Sequence, residues 1–485
     1  MGLGGVSANI NFPTIEKSEL EKKLTKLKEP FLESFNPTLE ERIERIKKVK
    51  SIIEDNTKDF HAALTKDFGA RHPQLSLISD TLPIISSANV IIKNLKKWMR
   101  PEKRNIKFPG NLLGATAQVQ YQPLGVVGII SPWNFPIVLS VGPLLEVLAA
   151  GNNAMLKLSE FVPETSKLIE NLFNEKFNEN EICVINGGPE VSSSFAELPF
   201  DHIIFTGSTS TAKLVAEAAA KNLVPVTLEL GGKSPAILGK NANIKKSATK
   251  IMFGKLANAG QICMAPDYLF VPEGQEQNFI KEAEIFVKKY FNSLVENSAY
   301  TSVIHQGHYD RIQNYIQDAK DKGAKIIEIN PNNEDFSKQD HLKIPPTLIL
   351  NATDDMLISQ NEIFGPVLPI KNYKELKEVT RYINNNQKPL AIYYFGNKKN
   401  DVEELLNDTT SGQMVVNEVA LQFMELDMPF GGVGHSGTGS YHGKDGFINF
   451  SHKRSVMKGQ NLISPIDLVG PPYNEKTEIM IKKLS

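Results

Sequence analysis

The sequence predicts an α/β protein built as two successive α/β domains, with a small extended element standing apart from both. Three observations carry that expectation. Between residues 124 and 238, short apolar β-type runs alternate with helical stretches, the pattern of right-handed βαβ units and a mainly parallel sheet. A second α/β series follows from about 245 to 428. Between the N-terminal helices and the first series, Ala117-Gln118-Val119-Gln120-Tyr121 alternates like an exposed strand. The 485 residues also exceed what one ordinary core serves, so two or three domains are expected.

In chain order, residues 14 to 66 are rich in Glu, Lys and Leu at helical spacing, and 81 to 99 form an amphipathic helix pattern. Lys107-Phe108-Pro109-Gly110 reads as a turn before the alternating arm. Buried strands are expected at Val126 to Ile130, Ala154 to Leu156, Ile182 to Ile185, Ile203 to Phe205, Val224 to Leu228 and Ala236 to Leu238. Helices are expected between them at 139–150, 163–174 and 210–220, and in the second series near 276–293, 308–322 and 399–406. The last sixty residues are Gly-rich and then irregular.

Composition narrows the function classes. Hydrophobic residues make up 41%, charged residues 22% and the net charge is −1, which fits a soluble globular protein with no general attraction to nucleic acid or anionic membrane. Two cysteines, Cys183 and Cys263, are too few for a disulfide framework, so a reducing compartment is expected. The first residues lack the basic start and apolar run of a secretory signal. The most apolar stretch, Ile137 to Ala150, is short and broken by Gly142, Pro143 and Glu146, a poor membrane span. A cytoplasmic protein without a stable membrane anchor is the expectation.

Two motifs mislead. Gly432-Val433-Gly434-His435-Ser436-Gly437 is a literal G-x-G-x-x-G, but no strand precedes it and no helix follows, so it reads as a Gly-rich loop. Gly231-Gly232-Lys233-Ser234 imitates the end of a P-loop, yet Thr227 stands where its first glycine belongs. None of the nine histidines has metal-ligand spacing, and no metal is expected.

A set of segments appearing in one order says more. Pro123-Leu124-Gly125-Val126-Val127-Gly128-Ile129-Ile130-Ser131-Pro132-Trp133-Asn134-Phe135-Pro136 comes first, then Lys157-Leu158-Ser159-Glu160 and Phe205-Thr206-Gly207-Ser208-Thr209. Leu228-Glu229-Leu230-Gly231-Gly232-Lys233-Ser234-Pro235, Gly260-Gln261-Ile262-Cys263, Glu362-Ile363-Phe364-Gly365-Pro366-Val367 and Pro429-Phe430-Gly431-Gly432-Val433-Gly434 complete it. The series resembles the aldehyde dehydrogenase superfamily from about residue 20 to 455, including the 34-residue separation of Glu229 and Cys263. Tyr441-His442-Gly443-Lys444-Asp445-Gly446-Phe447 and Phe450-Ser451-His452-Lys453-Arg454 look most like its class 3 branch, and within that branch the bacterial coniferyl aldehyde dehydrogenases.

The resemblance implies an aldehyde dehydrogenase-like fold: two Rossmann-like α/β domains and a small β bridging and oligomerisation element. It places an NAD(P)-binding domain at 1–104 and 124–230, a catalytic domain at 231–446, and the bridging element and tail at 105–123 and 447–485. That element would combine the arm with strands near 447–457 and pair across a two-fold axis, so a homodimer is expected. The implied cofactor is NAD, with NADP also admitted, and the substrate is a hydrophobic or aromatic aldehyde.

Residue types agree with the implied roles. Cys263 follows the small and polar Asn258-Ala259-Gly260-Gln261, suited to a loop that ligand approaches, and a thiolate there can attack an aldehyde carbonyl. Cys183, inside the apolar run Ile182 to Ile185, reads as core. Glu229 closes a β-type run just before two glycines, and by resemblance is the base that activates water. Asn134 would supply the oxyanion-hole amide together with the backbone N–H of Cys263. Lys157 and Glu160 would hold the adenosine ribose, Gly207 and Ser208 the pyrophosphate at a helix start, and Glu362, Phe364 and Trp133 the nicotinamide end. A CoA-acylating dehydrogenase and a thioester hydrolase would share Cys263; Glu229 favours water as the acyl acceptor.

Overall fold

A computed structural model describes residues 14–107, 114–459, 466 and 469–484. The first residues, the turn at 108–110 and the middle of the arm lie outside the described residues.

The apolar runs of the first series assemble because a parallel strand must be covered on both faces. Val126–Ile130, Asn153–Lys157, Ile182–Ile185, His202–Gly207 and Val226–Leu230 are parallel neighbours in a six-stranded sheet. Its sixth strand, Gly437–Thr438, returns from far along the chain and runs antiparallel to Val226–Leu230. One face is covered by the helix Val138–Ala150, buried on nearly every side, with Leu39–Asp55 and Leu82–Trp98 packed behind it. The other face is covered by Lys17–Lys28, Pro189–Ala196 and Thr209–Ala220.

The second series forms a seven-stranded sheet in the order Lys325–Glu328, Thr347–Leu350, Val367–Tyr373, Tyr268–Pro272, Pro235–Leu238, Ala391–Phe395, Gln413–Val416. All its pairs are parallel except the first. A third, antiparallel sheet joins Glu102–Arg104, Thr116–Pro123 and Ser451–Lys458.

The helical segment Pro73–Trp98 is 26 residues long with mean hydropathy 1.5, enough by length and composition to cross a membrane. Its packing decides otherwise: Ile84, Ala88, Ile91 and Leu95 recur at helical spacing and are buried in the core against Leu39–Asp55 and Val138–Ala150.

Three expectations need correction. The run expected as a strand from Val224 begins at Val226, because Leu223 is left-handed (φ 56°) and Pro225 follows. The strand then continues to Leu230, so Glu229 sits inside it, opposite Thr206 on one side and Gly437 on the other. The β element expected near 447–457 opens as a helix, Gly443–Asn449, and becomes strand only at Ser451, since Phe447 is drawn into the core beside Trp98 and Tyr121. The arm strand Thr116–Pro123 is mostly half-buried, because strands pair with it along both edges.

Candidate active site

Four strand ends of the first sheet converge on one face. There the chain turns out of the sheet at Ser131–Asn134, Leu158–Glu160, Ser208 and Gly231-Gly232, the carboxyl-end crevice where α/β sheets bind ligands.

The thiol is brought to this face by a strained loop. After the helix Ile244–Leu256, Asn258, Ala259 and Gly260 are successively left-handed, with φ of 50°, 54° and 73°. Each non-glycine residue so held costs about 1–3 kcal/mol and persists only when its surroundings over-determine it. They do. A Cβ on Gly260 would stand 2.3 Å from the carbonyl oxygen of Gly365. Buried Gln261 donates from Nε2 to the carbonyls of Asn258 (2.9 Å) and Ser302 (3.0 Å), and its Oε1 accepts the N–H of Ile304 at 3.0 Å. Cys263 follows this clamp with a partly exposed side chain, whereas Cys183 is buried in the core as expected.

Asn134 is tied to the same loop. Its buried amide Nδ2 donates to the Gln261 carbonyl at 3.1 Å, while its own carbonyl accepts from Arg71 Nη1 (2.8 Å) and Asn258 Nδ2 (3.2 Å). Arg71 is fully buried and paired with equally buried Asp80 at 2.5 Å. Asp80 Oδ1 accepts the N–H groups of Ile137 (3.2 Å) and Val138 (3.4 Å). Arg71, Asp80, Asn258 and Gln261 escaped the sequence reading. Only the small-residue run before Cys263 hinted at two of them, because an Arg and an Asp nine residues apart look solvated until the fold encloses them.

Glu229 is buried, and neither carboxylate oxygen finds a hydrogen-bond partner among the described residues. Burial first, and then the negative charge of Glu146, hold its proton affinity well above the usual carboxylate range. Burial, followed by the charges of Glu362 and Glu229, pushes the Cys263 thiol up to about 12. The charge of Glu229 thus reaches the Cys263 thiol.

The remaining predicted residues lie along the same crevice. Lys157 and Glu160 approach to 3.8 Å, and buried Lys157 also donates to the Leu158 carbonyl at 2.6 Å. Burial pulls Lys157 down to about 8. Ser208 caps the helix Thr209–Ala220, its Oγ accepting the N–H of Thr211 at 3.2 Å. Gly207 must lack a side chain, since a Cβ would meet the Phe205 ring at 2.5 Å. Glu362 is pushed up to about 8 by burial and then by Asp267; its carboxylate lies 2.2 Å from where a Cβ on Gly231 would stand. Phe364 is left-handed (φ 48°) and meets Trp133 edge-on at 5.5 Å. His308, absent from the expectations, also meets Trp133 edge-on at 5.1 Å.

This donor set fits a nicotinamide dinucleotide. A capped helix start offers N–H groups to phosphate, a Lys–carboxylate pair suits ribose hydroxyls, and Gly207, Gly231 and Gly232 let backbone approach closely. Nearer the thiol, the Asn134 amide is bonded to the loop that carries Cys263. His435, in the Gly-rich turn, is exposed.

Comparison with known proteins agrees. The chain matches the Aldehyde dehydrogenase family over residues 7–456. It is 47% identical over 462 residues to the "Probable coniferyl aldehyde dehydrogenase" of Caulobacter vibrioides, covering 95% of each chain. It is 33% identical to aldehyde dehydrogenase family 3 member A2 of Rattus norvegicus, covering 94% of this chain and 92% of the relative. The substrate-bound structure of Staphylococcus aureus AldH superposes with a TM-score of 0.89 at 34% identity, covering 96% and 99% of the two chains. From thiol loop to strand-end crevice, and across nearly its whole length, the chain belongs to the aldehyde dehydrogenase family, NAD(P)-dependent oxidoreductases that act on aldehydes.

Proposed function

We propose that this enzyme oxidises a hydrophobic or aromatic aldehyde, coniferaldehyde being the first candidate, to the free carboxylic acid with NAD preferred over NADP. The observation that carries the mechanism is the joint placement of Cys263, the Asn134 amide and the Glu229 carboxylate, which has no hydrogen-bond partner among the described residues, at one crevice. The substrate class rests on the 47% identity to the Caulobacter relative. The NAD preference rests on Glu160, whose carboxylate suits a ribose 2′-hydroxyl and repels a 2′-phosphate.

Cys263 passes its proton to the Glu229 carboxylate, which releases it to solvent, and the sulfur adds to the aldehyde carbon, giving a thiohemiacetal. Its oxyanion is met by Asn134 Nδ2, which gives up the Gln261 carbonyl, and by the backbone N–H of Cys263. Glu362, Phe364 and Trp133 would hold one end of an oxidised nicotinamide dinucleotide and Lys157, Glu160, Gly207 and Ser208 the other, and the nicotinamide would supply the acceptor for the substrate's hydride. The thioester left on Cys263 is opened by water that passes a proton to Glu229, and the C–S bond breaks to restore the thiolate.

We also read residues 1–104 and 124–230 as the dinucleotide domain, 231–446 as the catalytic domain, and 105–123 with 447–485 as the bridging element and tail. The strand Ser451–Lys458 is a largely exposed sheet edge, which supports pairing with a second copy of the chain in a homodimer.

Cys263→Ala tests the assignment. NADH formation is expected to disappear while NAD⁺ binding, read by fluorescence titration, stays within about threefold, a difference of about 0.7 kcal/mol. Turnover at the parental rate would sink the reading. Product analysis in the presence of CoA separates free acid from acyl-CoA.

A further inference from the structure

Glu160, the carboxylate proposed for the adenosine ribose, is followed directly by an aromatic residue. Phe161 lies in the turn after the strand Asn153–Lys157 and stays 36% exposed, which leaves its ring for a partner outside the first sheet's core. That partner comes from the second sheet's side of the molecule. His305 precedes the helix Gln306–Asp321, which packs on Leu357–Gln360 and on the strand Lys325–Glu328. Its ring stacks on Phe161, with centroids 4.5 Å apart and planes 28° apart. The row of rings continues from there. His305 meets His308 at 4.6 Å, His308 meets Trp133 at 5.1 Å, and Trp133 meets Phe364 at 5.5 Å. One line of rings therefore runs from beside Glu160 to the residues proposed for the nicotinamide end. The Phe161–His305 stack is the place where it crosses from one side of the crevice to the other.

The hydrogen bonding of His305 is incomplete. Its Nδ1 accepts the N–H of His308 at 3.3 Å, which caps the helix and requires that ring nitrogen to be unprotonated. Burial, and then the charge of Arg311, hold the imidazole below its ordinary range, so the ring is neutral and its one proton sits on Nε2. That Nε2–H is shut away from water and has no acceptor among the described residues. A buried donor left unmet is costly, and the cost is relieved once an oxygen comes within reach. The rings of Phe161, Trp133 and Phe364 carry no oxygen. A dinucleotide lying along the row carries many, in its ribose hydroxyls and its phosphates.

We propose that Phe161 and His305 form a closure over the dinucleotide crevice: the stacked pair parts to admit NAD⁺ and closes again with the His305 Nε2–H donated to an oxygen of the bound cofactor. The proposal rests on the reading that Lys157 and Glu160 hold one end of the dinucleotide and Trp133 and Phe364 the other. The closure is a single aromatic contact with one ring partly in water, weak enough to open on every turnover. Entering NAD⁺ and leaving NADH both pass it. The stack therefore sets the speed of cofactor exchange, and the Nε2–H adds to the strength with which cofactor is held.

The test is stopped-flow fluorescence of NADH entering the full chain and leaving it on displacement by excess NAD⁺. Phe161→Ala removes the stack and is expected to raise the entry and exit rate constants together by about two- to tenfold, the range one aromatic pair is worth, with little change in their ratio. Phe161→Tyr keeps the ring and should keep the parental rate constants. His305→Asn retains a helix-capping side chain but loses both ring and Nε2–H, so exit should quicken and NADH affinity fall about two- to tenfold. Parental rate constants in Phe161→Ala overturn the proposal, and a lowered urea midpoint beside them would assign the stack to packing alone. Unchanged affinity in His305→Asn overturns the donor role. Lys157→Ala tests the crevice reading separately: it is expected to weaken NADH binding by about tenfold, and parental affinity there would remove that reading itself. If His305→Asn does not fold, Phe161→Ala, a change at a partly exposed side chain, decides the closure by its exit rate.

Discussion

Asn134 illustrates what a single side chain can be asked to do at this site. Its Nδ2 already donates to the loop that carries Cys263, so under the proposed oxyanion role it would exchange one oxygen acceptor for another. Asn134→Ala is expected to lower kcat roughly 100- to 1000-fold, as loss of an oxyanion donor does elsewhere, with a much smaller change in NAD⁺ affinity. Steady-state kinetics read it; a kcat within fivefold of parental would refute the oxyanion role. The two thiols show how little a residue's identity says by itself. Burial pushes both Cys183 and Cys263 up to about 12, so proton affinity does not separate them. What separates them is access and the polar groups within reach. The sequence could weigh those only through neighbours: an apolar run around one, Asn-Ala-Gly-Gln before the other.

At the scale of elements, the site depends on connections that never touch ligand. The Arg71–Asp80 pair links the N-terminal helices to the Asn134 turn and to the start of the Val138–Ala150 helix. Asp80→Ala leaves a buried guanidinium without its counter-charge and is expected to cost about 3–5 kcal/mol of stability, measurable by urea unfolding. A loss under about 1 kcal/mol would show that the pair does not hold the turn. Element positions were largely legible beforehand because they follow from hydrophobic period. The strands Val126–Ile130 and Ile182–Ile185 fall where the apolar runs lie. The misses fall where a tertiary contact overrode local pattern. The segment 443–449 is helical because Glu146 and the core receive it, and neither partner is near it in sequence.

At the scale of the whole molecule, three sheets are threaded by one chain, and the last segments close the structure. Gly437–Thr438 completes the first sheet beside Glu229, and Ser451–Lys458 completes the third beside the arm. The exposed edge of that third sheet is the surface on which the homodimer proposal depends. Light scattering of the full chain at micromolar concentration is expected to give twice the 53.9 kDa chain mass, and a monomer throughout would refute it.

The sequence by itself determined the α/β class, the order of the strands along the chain and the family, because these are written in apolar periodicity and in ordered motifs that need no knowledge of contacts. It also singled out Cys263, Glu229 and Asn134 by their place in those motifs. Only the tertiary structure decided that Asn134 is bonded to the thiol loop and that Glu229 is buried without hydrogen-bond donors among the described residues. Those facts depend on residues far apart in the sequence meeting in a low-dielectric interior, where the environment, and not the residue type, sets which groups carry charge.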